Sequence, residues 1–170
     1  GAIVGPMGTG KSTLMRTLAT VLSQNCRQVV RIQVSGDMPS VSRDDRMRLR
    51  SAAAGDAVCI DGADLLPCRV WWLTRYACRR ATYLVVTSHA RPLLPVLYRT
   101  NPTPALLMEL TRELLDGGPS LTEQESHALL AACRGNMREA LRALYDRFQT
   151  YPSCTEAHRL SDSSDPRALV

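Results

Sequence analysis

Apolar positions fall along the chain in two rhythms, short runs of strand type and longer stretches at helical spacing, and the two alternate. Ala2, Ile3 and Val4 form a brief apolar run that breaks into a glycine-rich turn at Gly5, after which Leu14, Leu18, Val21 and Leu22 recur three and four apart. That pattern predicts strand, loop and helix, the helix covering Ser12 to Ser23 with those leucines and Val21 inward. Val29, Val30, Ile32 and Val34 predict a second strand over Gln28 to Val34, ended by Ser35, Gly36 and Asp37. A densely charged helix is expected over Ser42 to Ala54. Ala57 to Ile60 is continuously apolar and stops at Asp61, as a strand buried on both faces of a parallel sheet does. Pro67 suits a helix start, with Val70, Trp71, Thr74 and Cys78 facing inward. Tyr83 to Val86 predicts a fourth strand running into Thr87, Ser88 and His89, and Val96 to Tyr98 a fifth.

From Thr103 the rhythm becomes purely helical. Pro104 opens a helix with Leu106, Leu107, Leu110 and Leu114, and Gly117, Gly118 and Pro119 stop it. Thr122 and Glu125 have capping-box spacing, in which hydroxyl and carboxylate each satisfy a backbone N–H. A last helix after Gly135 and Asn136 is expected to bury Met137, Leu141, Leu144 and Phe148. Strands alternating with helices and then helices alone predict an α/β fold, a parallel doubly wound sheet with a C-terminal helical lid. The expected division is an α/β core over 1–102, the helical lid over 103–150, and a polar, aperiodic, flexible tail over 151–170.

The length of 170 residues suits one such domain, and 45% apolar with 22% charged residues is ordinary globular usage. No apolar run is long enough to span a bilayer and no signal-peptide pattern opens the chain, so a cytoplasmic protein without a membrane partner is expected. Gly1, in place of Met, begins inside a predicted strand, as in a fragment. Six scattered cysteines lack a Cys-x-x-Cys pair or histidines at ligand spacing, which argues against a disulfide framework or a cysteine metal site. The net charge of +5 permits nucleic acid without requiring it. More telling is its make-up: of 21 basic residues all are arginine except Lys11.

That lysine lies in Gly5-Pro6-Met7-Gly8-Thr9-Gly10-Lys11-Ser12-Thr13, which satisfies Gly-x-x-x-x-Gly-Lys-Ser/Thr between a predicted strand and helix. Glycines let the backbone aim its N–H groups inward around an anion, and the helix adds the positive end of its dipole. Lys11 is expected on the β- and γ-phosphates of ATP and the Ser12 hydroxyl on Mg²⁺. A forked, planar guanidinium does not fit that loop, hence lysine here and arginine elsewhere. Asp61, 50 residues after Lys11 at the end of an apolar strand, is the expected second Mg²⁺ contact. Its neighbour is Gly62, where ATPases of this kind often carry a water-polarising glutamate; Asp64 is the substitute nearby. Thr87 or Ser88 is expected near the γ-phosphate or the attacking water, with His89 a weaker candidate, and Arg138 is placed to close from the lid. These make Lys11, Asp61, Thr87, Ser88 and Arg138 the expected catalytic set.

At these residues the chain resembles an AAA+-like P-loop NTPase of the additional-strand group. Residues 5–13 resemble Walker A and Ala57 to Asp61 Walker B; Thr87-Ser88 resembles sensor 1, and Gly135 to Leu141 the sensor 2 segment of a helical lid. The resemblance implies ATP hydrolysis coupled to lid motion, and a homo-oligomer in which a neighbour inserts an arginine, with Arg75, Arg79, Arg80 and Arg99 as candidates. The loop also resembles that of ABC ATPases, but 50 residues between the two segments leave no room for their helical subdomain, and no Leu-Ser-Gly-Gly stretch occurs. Ile60 to Leu66, followed by Thr87 to His89, is similar to uncharacterised bacterial ATP-binding proteins. Two alternatives stay open: a non-hydrolysing nucleotide-gated module, suggested by Gly62, and a small-molecule P-loop kinase, suggested by the charged stretch Arg43 to Arg50 with Arg79-Arg80. Trp71, Trp72 and Tyr76 among arginines keep nucleic acid open as a partner beside a partner protein.

Overall fold

The computed structural model describes residues 1–34, 36, 39–115 and 121–149. The expected tail over 151–170, Cys154, the helix stop at Gly117 to Pro119, and Ser35 and Asp37 lie outside the described residues. Five strands, β1 (Ala2–Val4), β2 (Gln28–Gln33), β3 (Asp56–Asp61), β4 (Tyr83–Ser88) and β5 (Val96–Arg99), form one all-parallel sheet in the order β2-β3-β4-β1-β5. The helices are α1 (Lys11–Asn25), α2 (Arg43–Ser51), α3 (Cys68–Ala77), α4 (Pro104–Leu114), α5 (Glu123–Ala132) and α6 (Met137–Gln149). β4 is thus interposed between β1 and β3, the additional strand that the motifs imply. All strands being parallel, the loop after β1, Asp61 at the end of β3 and Ser88 at the end of β4 lie at the same, carboxyl end of the sheet, where ligands of open α/β sheets bind.

Alternation along each strand sorts the core. Ala2, Val4, Val30, Ile32, Val58, Ile60 and Val86 pack with Leu49 of α2 and Trp71 of α3, whereas Ile3, Cys59 and Val85 pack with Met15 and Ala19 of α1. Ala57, Val58 and Ile60 are fully buried, which accounts for the unbroken apolar run of β3 and contributes roughly 1.5–3 kcal/mol for a side chain such as Ile60.

The inner face of α1 keeps Leu18 and Leu22, partly buried against the sheet, but not the other two expected residues. Leu14 and Val21 are exposed, and Lys11, Met15 and Ala19, four apart, form the buried row. The phosphate loop turns Lys11 inward, and the i, i+4, i+8 row beneath it follows; counting apolar residues alone omits the lysine from the inner face. Similarly α4 buries Leu107 and Thr111 and leaves Leu106 and Leu114 exposed. The helices α4 to α6 enclose an apolar cluster of their own around Leu107, Leu130, Ala140 and Leu144. Thr103 caps α4, and Thr122 with Glu125 forms the expected capping box of α5. The five described cysteines are free, and no helix among the described residues is long and apolar enough to cross a membrane.

At the end of the sheet away from the loop, the buried carboxylate of Asp56 takes Arg27 Nε at 3.1 Å and Nη2 at 3.2 Å, together with the Ala53 N–H at 2.8 Å. Arg27 foremost, then the Ala53 N–H, holds the Asp56 carboxyl below its ordinary value near 3.8 despite burial. A depressed folded-state pKa contributes stability above the unfolded value that is lost as pH falls through the folded one. Asp56→Asn is therefore expected to lower the melting temperature at pH 7, the gap from the parent closing below about pH 4. Melting curves at stepped pH check this; a gap independent of pH would remove the ion pair from the account.

Candidate phosphate-binding site

The loop between β1 and α1 requires positive φ at two glycines, Gly8 (75°) and Gly10 (88°), a region that side chains with a Cβ adopt only at a cost. Gly10 is the residue before α1 and offers no side-chain cap, and the first turn carries no acidic residue. The leading N–H groups of α1 therefore have no side-chain acceptor from its cap, and the dipole's positive end faces the loop. Lys11 is only 7% exposed, with its ammonium donating to the Pro6 carbonyl at 2.6 Å. Burial draws its pKa below the ordinary value, while the carboxylates of Asp64 and Asp61 oppose the shift and favour the charged form.

Neighbours hold the loop from two sides. Thr100, just after β5, hydrogen-bonds Thr9 hydroxyl to hydroxyl at 2.6 Å and crowds Gly5 so closely that a Cβ there would lie 2.0 Å from its Oγ1. On the other side a Cβ at Gly8 would collide with the Asn136 side chain, and the Arg138 N–H donates to the Gly8 carbonyl at 3.3 Å. Asn136 Oδ1 accepts from Glu139 N at 3.3 Å, so the start of α6 rests on the phosphate loop. The Arg138 side chain is exposed on that first turn. Sequence reasoning missed Thr100 and the contact made by Asn136, since partners 91 and 128 residues from the loop residues they touch leave no local signal.

At the neighbouring strand ends, Thr87 donates to Asp61 Oδ1 at 2.5 Å and accepts the Gly62 N–H at 2.7 Å. Its hydroxyl, expected beside the γ-phosphate or the water, is committed to holding Asp61. Ser88 follows Val86 in the alternation of β4 and so lies on the α2–α3 face, opposite Thr87; it is fully buried and its Oγ has no partner among the described residues. The pair Thr87-Ser88 is thereby separated into a residue turned to Asp61 and one turned to the core.

Gly62 sits at φ 77°, and a Cβ there would lie 3.1 Å from the Val34 carbonyl. A glutamate in this position is strained, which gives Gly62 a backbone reason. Asp64, in the 3₁₀ turn Ala63–Leu65, presents Oδ2 to the His89 N–H at 2.8 Å and to His89 Nδ1 at 3.0 Å, and its other oxygen is buried without a partner among the described residues. His89 thus orients a carboxylate that also acts electrostatically on Lys11.

These residues fit a magnesium nucleotide: a glycine cradle, a buried ammonium, helix N–H groups and the underused oxygen of Asp64. No group of three or more His, Cys, Asp or Glu gathers as a metal site among the described residues. A magnesium ion here would take few protein ligands and be held chiefly by water and phosphate oxygens.

No protein-family model matches the chain, and no curated protein matches it either. Solved structures do. The RuvB Holliday junction branch migration motor of Thermotoga maritima is 23% identical with a TM-score of 0.56, and a single-substitution variant of that RuvB is 22% identical with the same score. Each match covers 83% of this chain and 51% of the other, so the chain spans about half the length of those structures. With its five parallel strands, interposed β4 and phosphate loop, the chain shares over the matched residues the P-loop NTPase fold of that half of RuvB.

Proposed function

We propose that the chain binds ATP with Mg²⁺ and hydrolyses it, residues 1–102 forming the nucleotide-binding core and 103–150 a lid whose position follows the nucleotide. The observation that carries this reading is the buried Lys11 ammonium in a glycine loop, its charged form favoured by the carboxylates of Asp64 and Asp61. Glycines 5, 8 and 10, with Pro6, Met7 and Thr9 between them, wrap the polyphosphate. The N–H groups of Lys11, Ser12 and Thr13 point at it, and Lys11 leaves the Pro6 carbonyl for the β- and γ-oxygens. When bound, Mg²⁺ neutralises charge developing on the phosphates; Ser12 and Asp61 would hold it, Thr87 fixing the carboxylate of Asp61.

Asp64, oriented by His89, takes the part of the missing glutamate and polarises the attacking water. Arg138 closes onto the γ-phosphate as α6 tightens on Gly8; the hydrogen bond from its N–H to that glycine supports this. A cytoplasmic setting and assembly into a homo-oligomer, with Arg99 at the edge strand β5 offered to a neighbour, complete the proposal. A cavity of about 500 Å³ lies between α2 and α3, on the sheet face opposite α1, which speaks against its being a kinase acceptor pocket.

Phosphate release from ATP with and without Mg²⁺ tests the reading. Turnover that needs the cation is expected; tight ATP binding without turnover would favour the nucleotide-gated module to which Gly62 points.

A further inference from the structure

The arginine bias of this chain is not spread evenly. The segments 43–51 and 68–80, which contain α2 and α3, carry eight arginines and two aspartates, a net +6 against +5 for the whole chain. The rest of the molecule is therefore close to neutral, and its positive charge is concentrated on one pair of helices.

Those helices enclose the cavity of about 500 Å³. Leu73 contributes apolar wall, and Arg46, Arg50, Arg79 and Arg80 stand around it without a carboxylate in the lining. Among the described residues none of the four arginines is paired with an acid. Along the outer side of α3 a second feature joins this groove. Trp72 is 58% and Tyr76 62% exposed, with Arg75 over the Trp72 ring at 5.4 Å and Arg79 over the Tyr76 ring at 4.1 Å. Residues 72, 75, 76 and 79 follow helical spacing, so rings and guanidinium groups alternate down one stripe. Trp71, its neighbour in sequence, is buried in the core, and the two tryptophans have separate duties.

We infer that the α2–α3 face binds single-stranded nucleic acid, its phosphates on Arg46, Arg50, Arg79 and Arg80 and its bases stacked on Trp72 and Tyr76. Solvated aromatic rings on a helix surface gain little apolar burial in folding, and beside the guanidinium over each ring a base adds a second flat partner. Stacking needs an open base face, which a single strand offers and a duplex does not. An acidic protein segment would satisfy the arginines but add nothing flat to stack on the exposed rings. This inference rests on a face remote from the phosphate loop and stands whether or not ATP is hydrolysed.

Because Trp71 is buried and Trp72 exposed, tryptophan emission reports the contact directly. Titration of the whole chain with an oligothymidylate or oligouridylate of about 20 nucleotides is expected to quench Trp72, with a salt slope of about −3 for four phosphate contacts. Trp72→Phe should keep most of the affinity and lose the quench; Trp72→Ala and Tyr76→Ala should each weaken binding on the order of tenfold. Both rings are exposed, so melting temperatures should stay at the parent value. A duplex or a polyglutamate binding as tightly as the single strand would overturn the inference. So would binding without a quench, or no binding at all.

Discussion

Lys11→Ala is expected to reduce ATP turnover by about 10²- to 10³-fold or more, the range for removing one preorganised charge from a developing anion. ATP binding should weaken with it, because this ammonium is the loop's one side-chain charge. The fold should survive: without the ammonium the Pro6 carbonyl still accepts from Thr9 Oγ1 at 2.9 Å, and truncation relieves the burial that depresses the lysine's pKa. Lys11→Arg should fare little better. The side chain is 7% exposed and its nitrogen lies 2.6 Å from a carbonyl of its own loop, leaving a guanidinium no room to fork. Calorimetric titration with ATP, phosphate release and thermal melts on the same preparations separate the effects. Parental turnover in Lys11→Ala would place hydrolysis elsewhere or in a contaminant.

The lysine was readable from the sequence because three independent signals coincide on it: the motif, the strand-to-helix context, and its singularity among arginines. The five strands and most helix starts were readable for a similar reason, since β3 is buried on both faces and Thr103, Pro104, Thr122 and Glu125 act within one turn of chain. What eluded the sequence depends on distant partners. The inward row of α1 is set by where the loop aims Lys11, not by its leucines. The bond from Thr87 to Asp61 depends on β4 pairing with β3, and strand alternation, once the register is known, sends Ser88 to the other face. Gly62 looked like the loss of a catalytic group, yet its φ of 77° and the nearby Val34 carbonyl show a backbone constraint that composition does not carry. Docking of Asn136 against Gly8 is likewise a tertiary contact, which the resemblance of Gly135 to Leu141 to a lid segment does not by itself specify.

Asp64→Asn distinguishes a hydrolase from a nucleotide-gated module. If Asp64 polarises the water, the amide should lower turnover by about 10²-fold or more, typical of a removed general base. ATP affinity should change far less. The substitution is close to isosteric and keeps an acceptor for the His89 N–H, now 2.8 Å from Oδ2, so the turn after β3 should hold its shape. His89→Ala should produce a smaller fall, since the His89 N–H remains and only the ring contact at 3.0 Å is lost. A carboxylate moved to residue 62 should not rescue Asp64→Asn, because Gly62→Glu forces a left-handed backbone on a side-chain-bearing residue at roughly 1–2 kcal/mol and crowds the Val34 carbonyl. Single-turnover hydrolysis with prebound ATP isolates the chemical step from binding. Unchanged single-turnover rates in Asp64→Asn would remove Asp64 from the chemistry and leave Asp61, held by Thr87, as the only carboxylate at the site with a role in turnover.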